Sequence, residues 1–151
     1  MDMQTPLVIR AATETDLDAV LKLYAQPDID NGDVLSVEKS REIFARFKRY
    51  PDYNIYVVLD GDDVVGSFAL LIMDNLGHLG SPSGVVEDVV VDPSRQGQGI
   101  GRQMMAFAIE QCRQRGCYKV ALSSNLKRER AHKFYDSIGF ERHGYSFRVH
   151  P

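Results

Sequence analysis

The stretch SRQGQGIGR, residues 94–102, places three glycines at alternate positions between two arginines, and we name it the glycine loop. It follows the apolar run VVVDP and precedes a segment with helical spacing. At a helix start, unpaired N–H groups and the positive end of the helix dipole face outward, and glycine lets a ligand approach the backbone closely. The loop therefore indicates an anion site, with a simple tight turn as the alternative.

Two common nucleotide-binding patterns do not fit the glycine loop. The dinucleotide fingerprint needs glycines at its first, third and sixth positions. Counting from Gly97 puts Arg102 in the sixth position, and counting from Gly99 puts Met104 there. The triphosphate-binding pattern G-x-x-x-x-G-K-[ST] does not occur in the chain. The sequence thus favours an anion carried by another kind of ligand.

Charge is distributed unevenly along the chain. The net charge is −3, which does not favour a nucleic-acid partner, because such proteins usually carry a basic surplus. Positive charge concentrates in LKRERAHK, residues 126–133, and negative charge in EDVVVD. A basic cluster in an acidic protein favours a small anionic ligand over a polymer, although a solvated helix start would give the same pattern.

Length and composition predict one soluble globular domain, residues 1–151. The 151 residues can bury a real core, and 44% hydrophobic with 26% charged residues is ordinary for a globular protein. No apolar run is long enough to span a bilayer, and MDMQTPLVIR lacks the features of a secretory signal. Cys112 and Cys117 have no metal-ligand spacing. We expect free thiols, no metal, no membrane partner and a cytoplasmic location.

Hydrophobic periodicity and turn residues predict the element order β-α-α-β-β-β-α-β-α-β. Thr15, with Asp18 three residues later, is expected to cap the first helix, and the second begins near Ser36. Gly116 is expected to end the long helix after the glycine loop. The remaining segments are a strand at 6–12, a hairpin at 54–73, a central strand at 85–91, a strand at 118–124, a helix at 128–140 and one or two strands at 141–150.

Two motifs carry a resemblance to a known family. Gln96-x-x-Gly99-x-Gly101, between a valine-rich strand and a long helix, resembles the acetyl-CoA signature of the GNAT N-acetyltransferases. AHKFYDSIGF, residues 131–140, is similar to the family's A-x-x-F-Y-x-x-x-G-F helix. The resemblance covers residues 85–141 in detail and the whole chain as an element order. It implies an α/β GNAT fold: a mixed, mostly antiparallel sheet splayed at the centre, with helices on both faces.

Two subfamilies share further segments with the chain. VVEDVVV together with GCYKV resembles the glucosamine-6-phosphate N-acetyltransferases, and SSNLKRERAHKFY resembles bacterial aminoalkylphosphonate acetyltransferases. The resemblance implies transfer of an acetyl group from acetyl-CoA to the primary amine of a small acceptor, which could be phosphorylated or phosphonylated. Two other functions stay open: acetylation of a protein N-terminus or lysine, and a non-catalytic acyl-CoA-binding module. The resemblance also implies a homodimer through the C-terminal strands.

Donor binding is assigned by the resemblance. Backbone N–H groups of the glycine loop would hold the pyrophosphate. The pantetheine arm would pair with the backbone after the acidic pair, where the sheet must splay, between the strand ending at Val91 and the segment KVALSSN. The cofactor-binding residues expected are Val89, Val90, Val91, Gln96, Gly97, Gln98, Gly99, Ile100, Gly101, Arg102, Asn125, Arg128, His132 and Phe134.

Acetyl transfer to an amine also requires that a proton be removed from the amine. Most of an amine with a pKa of about 10 is protonated at neutral pH, so a base must remove a proton. Glu87 and Asp88, the acidic pair, are the candidates; adjacent strand residues point to opposite faces, so only one is expected to face the reaction. Glu87, which shares parity with Val85, Val89 and Val91, is favoured as base, directly or through water, with Asp88 orienting the acceptor. Either carboxylate could instead simply contact a neighbouring backbone amide.

Tyr135 matches the family tyrosine that protonates the departing thiolate, and a phenol is a suitable donor at neutral pH. Its alternative role is packing, although Phe134 already supplies an apolar anchor. The N–H of Val89 is the expected donor to the tetrahedral oxyanion.

Two positions are less firmly assigned. Many family members carry Asn where this chain has Arg128, so Asn125, at the strand end, is an alternative cofactor contact. His78 lies in the loop before the catalytic strand and is a candidate acceptor-binding residue, with a solvated surface histidine as the alternative.

Overall fold

The computed structural model describes residues 5–151, so the prediction about a secretory signal falls partly on residues outside the described part. The chain divides into two compact units, the first ending at Ala121 and the second comprising Leu122–Pro151. The first unit contains β1 (Val8–Ala11), α1 (Leu17–Tyr24), α2 (Val37–Arg46), β2 (Tyr53–Asp60), β3 (Asp63–Met73), β4 (Ser83–Val91), α3 (Ile100–Gln114) and β5 (Lys119–Ala121). The second unit contains α4 (Glu129–Ser137).

One mixed sheet organises the first unit. Among the described residues it has five strands in the order β1-β2-β3-β4-β5. The first four strands pair antiparallel, and β5 pairs parallel with β4. The predicted mixed, mostly antiparallel sheet is confirmed, as is the hairpin, whose turn contains Gly61 in the left-handed region.

Helices cover both faces of this sheet. Alternate residues of a strand point to opposite faces. On one face, Ala69 of β3 lines a pocket with residues of α1 and α2. On the other, a Cβ built on Gly66 would lie 3.2 Å from Met104 of α3, and Phe68 contacts Phe107 of α3 through ring edges. The buried side chains of α3 are Ile100, Met104, Met105, Ala108 and Cys112, whereas Ile109 is 40% exposed.

Gly84 explains how closely α3 approaches β4. A Cβ at this position would lie 2.3 Å from the Cys112 sulfur, which is too close for any side chain. Cys112 is buried and Cys117 is partly buried, and both are free thiols as predicted. α3 ends at Gln114, and Gly116, which was expected to end it, follows the capping residue Arg115 with a positive φ of 73°.

The regular pairing of β4 with β3 is interrupted in the second half of β4. Glu87 pairs with Ala69 and Val90 with Ser67, so Asp88 and Val89 both lie opposite the single residue Phe68. Asp88 has a φ of +52°, in the left-handed region. This is a β-bulge, and it shifts the alternation of every later residue in the strand.

The parallel pairing between β4 and β5 is short. It joins Ser83–Val85 to Lys119–Ala121 and does not extend to the later residues of β4. Beyond Val85, β4 therefore has no strand partner on this side within residues 5–151. The predicted separation of the sheet therefore lies between β4 and β5, and β5 is the last strand of the first unit.

Two local predictions are wrong. Thr13, not Thr15, begins the first helical segment: it forms a capping box with Asp16, after a short 3-10 turn at Glu14–Asp16. Tail residues 141–151 form no strand, although one or two were expected. The tail's apolar side chains have no strand ladder to join within the second unit, and Tyr145, Phe147 and Val149 are more than 80% exposed.

Candidate active site

The glycine loop takes the backbone shape that its sequence requires. Gly97 and Gly99 have φ values of +79° and +82°, which L side chains rarely adopt. Gly99 immediately precedes α3, and a Cβ at either glycine would meet no other atom within 4 Å. The backbone therefore faces open space at the start of a 15-residue helix.

Backbone N–H groups are concentrated at this helix start. The first hydrogen bond of α3 runs from the N–H of Gln103 to the carbonyl of Gly99, at 3.1 Å. The N–H groups of Ile100, Gly101 and Arg102 precede it and have no partner one turn back. Together with the helix dipole, they form a favourable position for an anion. Gln96, Gln98 and Arg102 are exposed around them.

Arg95 connects the glycine loop to the β2–β3 hairpin. Its guanidinium donates to Asp60 in the β2–β3 hairpin and lies 4.0 Å from Asp63. Asp92 accepts hydrogen bonds from the N–H and the hydroxyl of Ser94, both at 2.9 Å, and these bonds lower the pKa of Asp92. Both interactions fix the entry to the glycine loop.

The acidic pair lies at the bulge of β4, and both carboxylates are exposed. Partial burial by their surroundings raises the pKa of Glu87, and the charge of Asp88 raises it further. Partial burial also raises the pKa of Asp88, with a second contribution from Asp30. Raised carboxyl pKa values of this kind are typical of sites that exchange protons.

The bulge changes which residues share a face with Glu87. Cross-strand partners lie on one face of a sheet, so Glu87 and Val90 share the face of Ala69 and Ser67. Val91 pairs with Gly66 and lies on the other face, so its predicted shared parity with Glu87 is wrong. Strict alternation fails here because Asp88 is the extra residue of the bulge.

Beside the acidic pair, a pocket of about 190 Å³ opens between α1, α2 and the sheet, and we name it the α1–α2 pocket. Asp88 lines it together with Tyr24 and Tyr53. Burial raises the pKa of both phenols, and the charge of Asp88 raises both further. Glu87 also contributes to the raised pKa of Tyr53, so both carboxylates act on this phenol.

The end of β4 is held by a side chain from the α1–α2 loop. Gln26 donates from its amide nitrogen to the carbonyl of Val91, at 3.1 Å. The N–H of Asp92, the next residue, bonds to the carbonyl of Val65 on β3. Because the carbonyl of Val91 and the N–H of Asp92 belong to one trans peptide and point in opposite directions, Asp92 holds the end of β4 to β3 and Gln26 binds its opposite edge.

In the second unit, Asn125 and His132 come together. The Asn125 side-chain oxygen accepts from the N–H of Lys127 at 2.9 Å, and its backbone oxygen lies 2.8 Å from Nε2 of His132. Asn125 thus holds the turn before α4. The register between Asn125 and the expected Asn position stays a prediction.

Tyr135 lies on α4 between two other aromatic rings. The ring centroids of Phe134 and Phe140 are 5.2 and 5.6 Å away. Burial raises the pKa of Tyr135, and the charge of Arg128 opposes this increase. The phenol is therefore protonated at neutral pH, as a proton donor must be.

His78 lies in a short 3-10 turn, His78–Gly80, that precedes β4, whereas the acidic pair lies past the middle of that strand. Its ring stacks on Tyr118, with centroids 3.9 Å apart and planes at 18°. The backbone there is unusual, because His78 and Leu79 both have positive φ values, of 52° and 56°. Its role in acceptor binding stays a prediction.

Tyr24, Tyr53 and Gln26 lie near the acidic pair, although no sequence motif marks them as site residues. Tyr24 fits the apolar stripe of α1 and so gave only a packing signal. Tyr53 begins a strand and Gln26 ends a helix, without a motif around either. Only the packing of α1 and α2 on β3 and β4 brings them to the acidic pair, and single-sequence periodicity does not report that packing.

Within residues 5–151, no group of three or more His, Cys, Asp and Glu side chains is placed to hold a metal ion. In the same range, no helix has both the length and the apolar character needed to cross a membrane.

Comparison with known proteins gives one consistent result. Residues 17–140 match the model of the acetyltransferase (GNAT) family. An aminoalkylphosphonate N-acetyltransferase of Salmonella typhimurium is 32% identical over 146 residues, covering 97% of this chain and 92% of that protein. A glucosamine 6-phosphate N-acetyltransferase of Trypanosoma brucei brucei is 40% identical over 86 residues, 57% of this chain and 56% of that protein.

A solved structure supports the same assignment. An acetyltransferase of Trypanosoma brucei superposes with a TM-score of 0.84 and 31% identity, covering 97% of this chain and 100% of the other. The family match spans the glycine loop, the acidic pair and most of α4 together with Tyr135. The chain therefore belongs to the acetyltransferase (GNAT) family of N-acetyltransferases.

Proposed function

We propose that this protein transfers the acetyl group of acetyl-CoA to the primary amine of a small molecule, by direct attack of the amine on the thioester. The observation that carries the proposal is the acidic pair, which is exposed on the bulge of β4, has raised carboxyl pKa values and lies beside a pocket. An ammonium group entering this site meets negative charge and a base.

Glu87 is the proposed base, acting directly or through one water, and Asp88 orients the ammonium group. A carboxylate with a raised pKa accepts a proton more readily, which suits a general base. Asp88 favours cation binding in the α1–α2 pocket, which it lines. The bulge leaves Val89 outside regular pairing, which supports its N–H as the oxyanion donor.

Acetyl-CoA is the proposed donor, with its pyrophosphate on the N–H groups of residues 97–102. The open space before Gly97 and Gly99 supports this assignment. The pantetheine arm would follow the backbone of Val89–Val91, which lacks a β5 partner. By the family resemblance, Gln96, Asn125, Arg128, His132 and Phe134 remain proposed cofactor contacts.

Tyr135 is the proposed donor of a proton to the CoA thiolate. Replacing Tyr135 by Phe should lower kcat by at least about 10-fold, with acetyl-CoA affinity unchanged, because only the hydroxyl is removed. Steady-state rates and calorimetric titration with CoA measure the two quantities. Tyr145→Phe, in the exposed tail, is the matched control. An unchanged kcat in Tyr135→Phe would remove the phenol from the reaction.

The acceptor is proposed to be a small amine, since the two relatives described above are named for small amine substrates. The direct test is thiol release from acetyl-CoA across an amine panel containing alkylamines, 2-aminoethylphosphonate, glucosamine 6-phosphate, polyamines, aminoglycosides and peptides. Turnover of a small amine supports the proposal. Turnover of peptides alone would support a protein acetyltransferase, and CoA binding without any turnover would support a non-catalytic module.

We also propose that the protein works in the cytoplasm as a homodimer. The dimer is supported by the tail, where Tyr145, Phe147 and Val149 alternate with polar residues and are exposed in the single chain. Such alternation is typical of a strand with one apolar face. Light scattering of the full chain should give a mass near twice 17.0 kDa, and truncation after His143 should reduce it to one chain.

A further inference from the structure

The walls of the α1–α2 pocket are mainly apolar and aromatic. Phe47 of the segment after α2 stacks on Tyr53, with ring centroids 4.3 Å apart and planes at 15°. Phe44 lies next to Phe47, with centroids 5.9 Å apart. Most of the remaining wall is aliphatic, from Leu17, Leu21, Leu35, Ile43 and Ile55. The hydroxyl of Ser40, another lining residue, already donates to the carbonyl of Val37 at 2.7 Å.

Asp88 is the single charged residue among the described residues that line this pocket. It is exposed and yet lines the cavity, which places it where the pocket opens. Asp30 and Glu87 add negative charge nearby, since Asp30 raises the pKa of Asp88 and Asp88 raises that of Glu87. The electrostatic environment is thus negative at the mouth and neutral inside.

We infer that the acceptor is a small primary amine on an apolar or aromatic carbon skeleton, an inference that rests on the proposed function. The ammonium group would bind Asp88 at the mouth, where aromatic rings add cation–π attraction. The skeleton would occupy the apolar interior and gain from removal of its surface from water. The catalytic carboxylates and the pocket together then define both ends of the acceptor.

A phosphate or phosphonate in the same pocket would be unfavourable. No Lys, Arg or His lines the pocket within residues 5–151. An anion placed inside would lose its hydration without gaining a cation, and it would meet the charge of Asp88. The pocket therefore disfavours the acceptors after which the two relatives described above are named.

The size of the pocket limits the skeleton further. Its volume of about 190 Å³ is below the roughly 300–1,000 Å³ of pockets that enclose drug-sized ligands. A single aromatic ring or a branched chain of about five carbons is the expected size. An amino sugar phosphate or an aminoglycoside would be too large and too polar to be enclosed.

The first test compares kcat/KM values at saturating acetyl-CoA. The substrates are 2-phenylethylamine and 3-methylbutylamine on one side, and 2-aminoethylphosphonate and glucosamine 6-phosphate on the other. The apolar amines should be preferred by at least about 10-fold, the discrimination that a few apolar atoms provide in a hydrophobic pocket. A preference of the same size for either phosphorus-containing amine would overturn the inference.

The second test enlarges the pocket. Ile43→Ala should raise kcat/KM for 4-phenylbutylamine, relative to 2-phenylethylamine, by about 10-fold, because removing a wall side chain makes room for a longer skeleton. Ile109→Ala makes the same change on an exposed position of α3 and should leave this ratio unchanged. A rise in kcat/KM for the longer amine cannot result from misfolding of the variant. An unchanged ratio in Ile43→Ala would place the acceptor outside this pocket.

Binding separates failure of this inference from failure of the proposed function. Calorimetric titration with 2-phenylethylamine, with CoA present, needs no turnover. One outcome is that the amine binds, that Ile43→Ala changes its affinity and Ile109→Ala does not, and that no amine is acetylated. This outcome would refute the proposed function and keep the pocket assignment. Acetylation of amines without such binding would keep the function and refute the pocket assignment, and absence of both would refute both.

Discussion

The glycine loop and the α1–α2 pocket are built in opposite ways, although both serve the same proposed reaction. The glycine loop is one continuous segment, and its binding groups are backbone N–H groups at the start of α3. The pocket is assembled from side chains of α1, α2 and three strands, far apart in the sequence. One site is local and made of main chain, and the other depends on tertiary packing.

This difference predicts which site tolerates change. A backbone site is sensitive to any residue that cannot adopt its φ values, whatever its side chain. A side-chain pocket can be reshaped one residue at a time while its fold is kept. The donor site should therefore be hard to alter gradually, whereas acceptor preference should change with single substitutions.

Glu87→Gln should have the largest effect. Loss of the general base should lower kcat/KM by roughly 10²–10⁴-fold, while acetyl-CoA binds as before. Initial rates of thiol release at pH 7.5 measure the effect. Glu110→Gln is the matched control, because it removes a carboxylate of α3 whose ion pair with Arg113 is on the surface. A similar loss in both variants would contradict the assignment of Glu87.

Gly99→Glu should act on the donor site instead. A residue with a side chain is strained at a φ of +82°, and a carboxylate would repel the pyrophosphate. We expect CoA affinity to fall by about 100-fold, or about 2.8 kcal/mol. Calorimetric titration measures it.

Gly116→Glu provides the control for backbone strain, since Gly116 has a φ of +73° at the other end of α3. A Cβ there also meets no atom within 4 Å. If this variant weakens CoA binding as much as Gly99→Glu does, the effect comes from destabilising the helix and the anion site lies elsewhere.

Asp88→Asn should produce a smaller effect with a defined sign. The charge of Asp88 raises the pKa of Glu87, so its removal lowers that pKa. The base is active only when ionised, and activity therefore falls as pH falls through the Glu87 pKa. The acidic limb of the kcat/KM profile should move to lower pH in the variant. A limb that moves upward would show that Glu87 is not the titrating base.

Asp16→Asn should have the smallest effect on catalysis. Asp16 binds Arg10 through two hydrogen bonds, of 2.7 and 3.0 Å, and caps the segment that leads into α1. The hydrogen bond with Arg10 lowers the pKa of Asp16. Stability from a lowered carboxyl pKa is present above the ordinary pKa of about 4 and is lost as pH falls.

The variant should therefore lose about 1–3 kcal/mol of unfolding free energy at pH 7, and the difference should shrink in acid. Urea unfolding at several pH values measures this. Because α1 forms part of the proposed acceptor pocket, KM for the amine should rise slightly while CoA affinity is kept. An equal loss of CoA affinity would show that the two sites are not independent.

Sequence reasoning succeeded where the signal was local. The glycine loop, α3 and its end near Gly116 follow from glycine positions and helical periodicity within about 20 residues. The hairpin and the valine-rich β4 follow from turn residues and β-branched side chains.

It failed where long-range packing decides. The bulge at Asp88 depends on the register in which β4 pairs with β3. No pattern within VVEDVVV indicates an extra residue in the strand. The α1–α2 pocket needs the docking of two helices, so the helical spacing of Tyr24 in the sequence indicates only packing. The tail has strand alternation at Tyr145, Phe147 and Val149 but no strand partner within the single chain, so pattern alone predicted a strand that is not formed.

The most direct test of the account measures acetyl-CoA affinity and turnover on the same preparations of Gly99→Glu and Glu87→Gln. It asks whether donor binding and proton removal depend on different residues. Gly99→Glu should lose CoA affinity by about 100-fold, whereas Glu87→Gln should bind CoA like the wild type and lose turnover. Normal CoA binding by Gly99→Glu, or undiminished turnover by Glu87→Gln, would contradict the assignment.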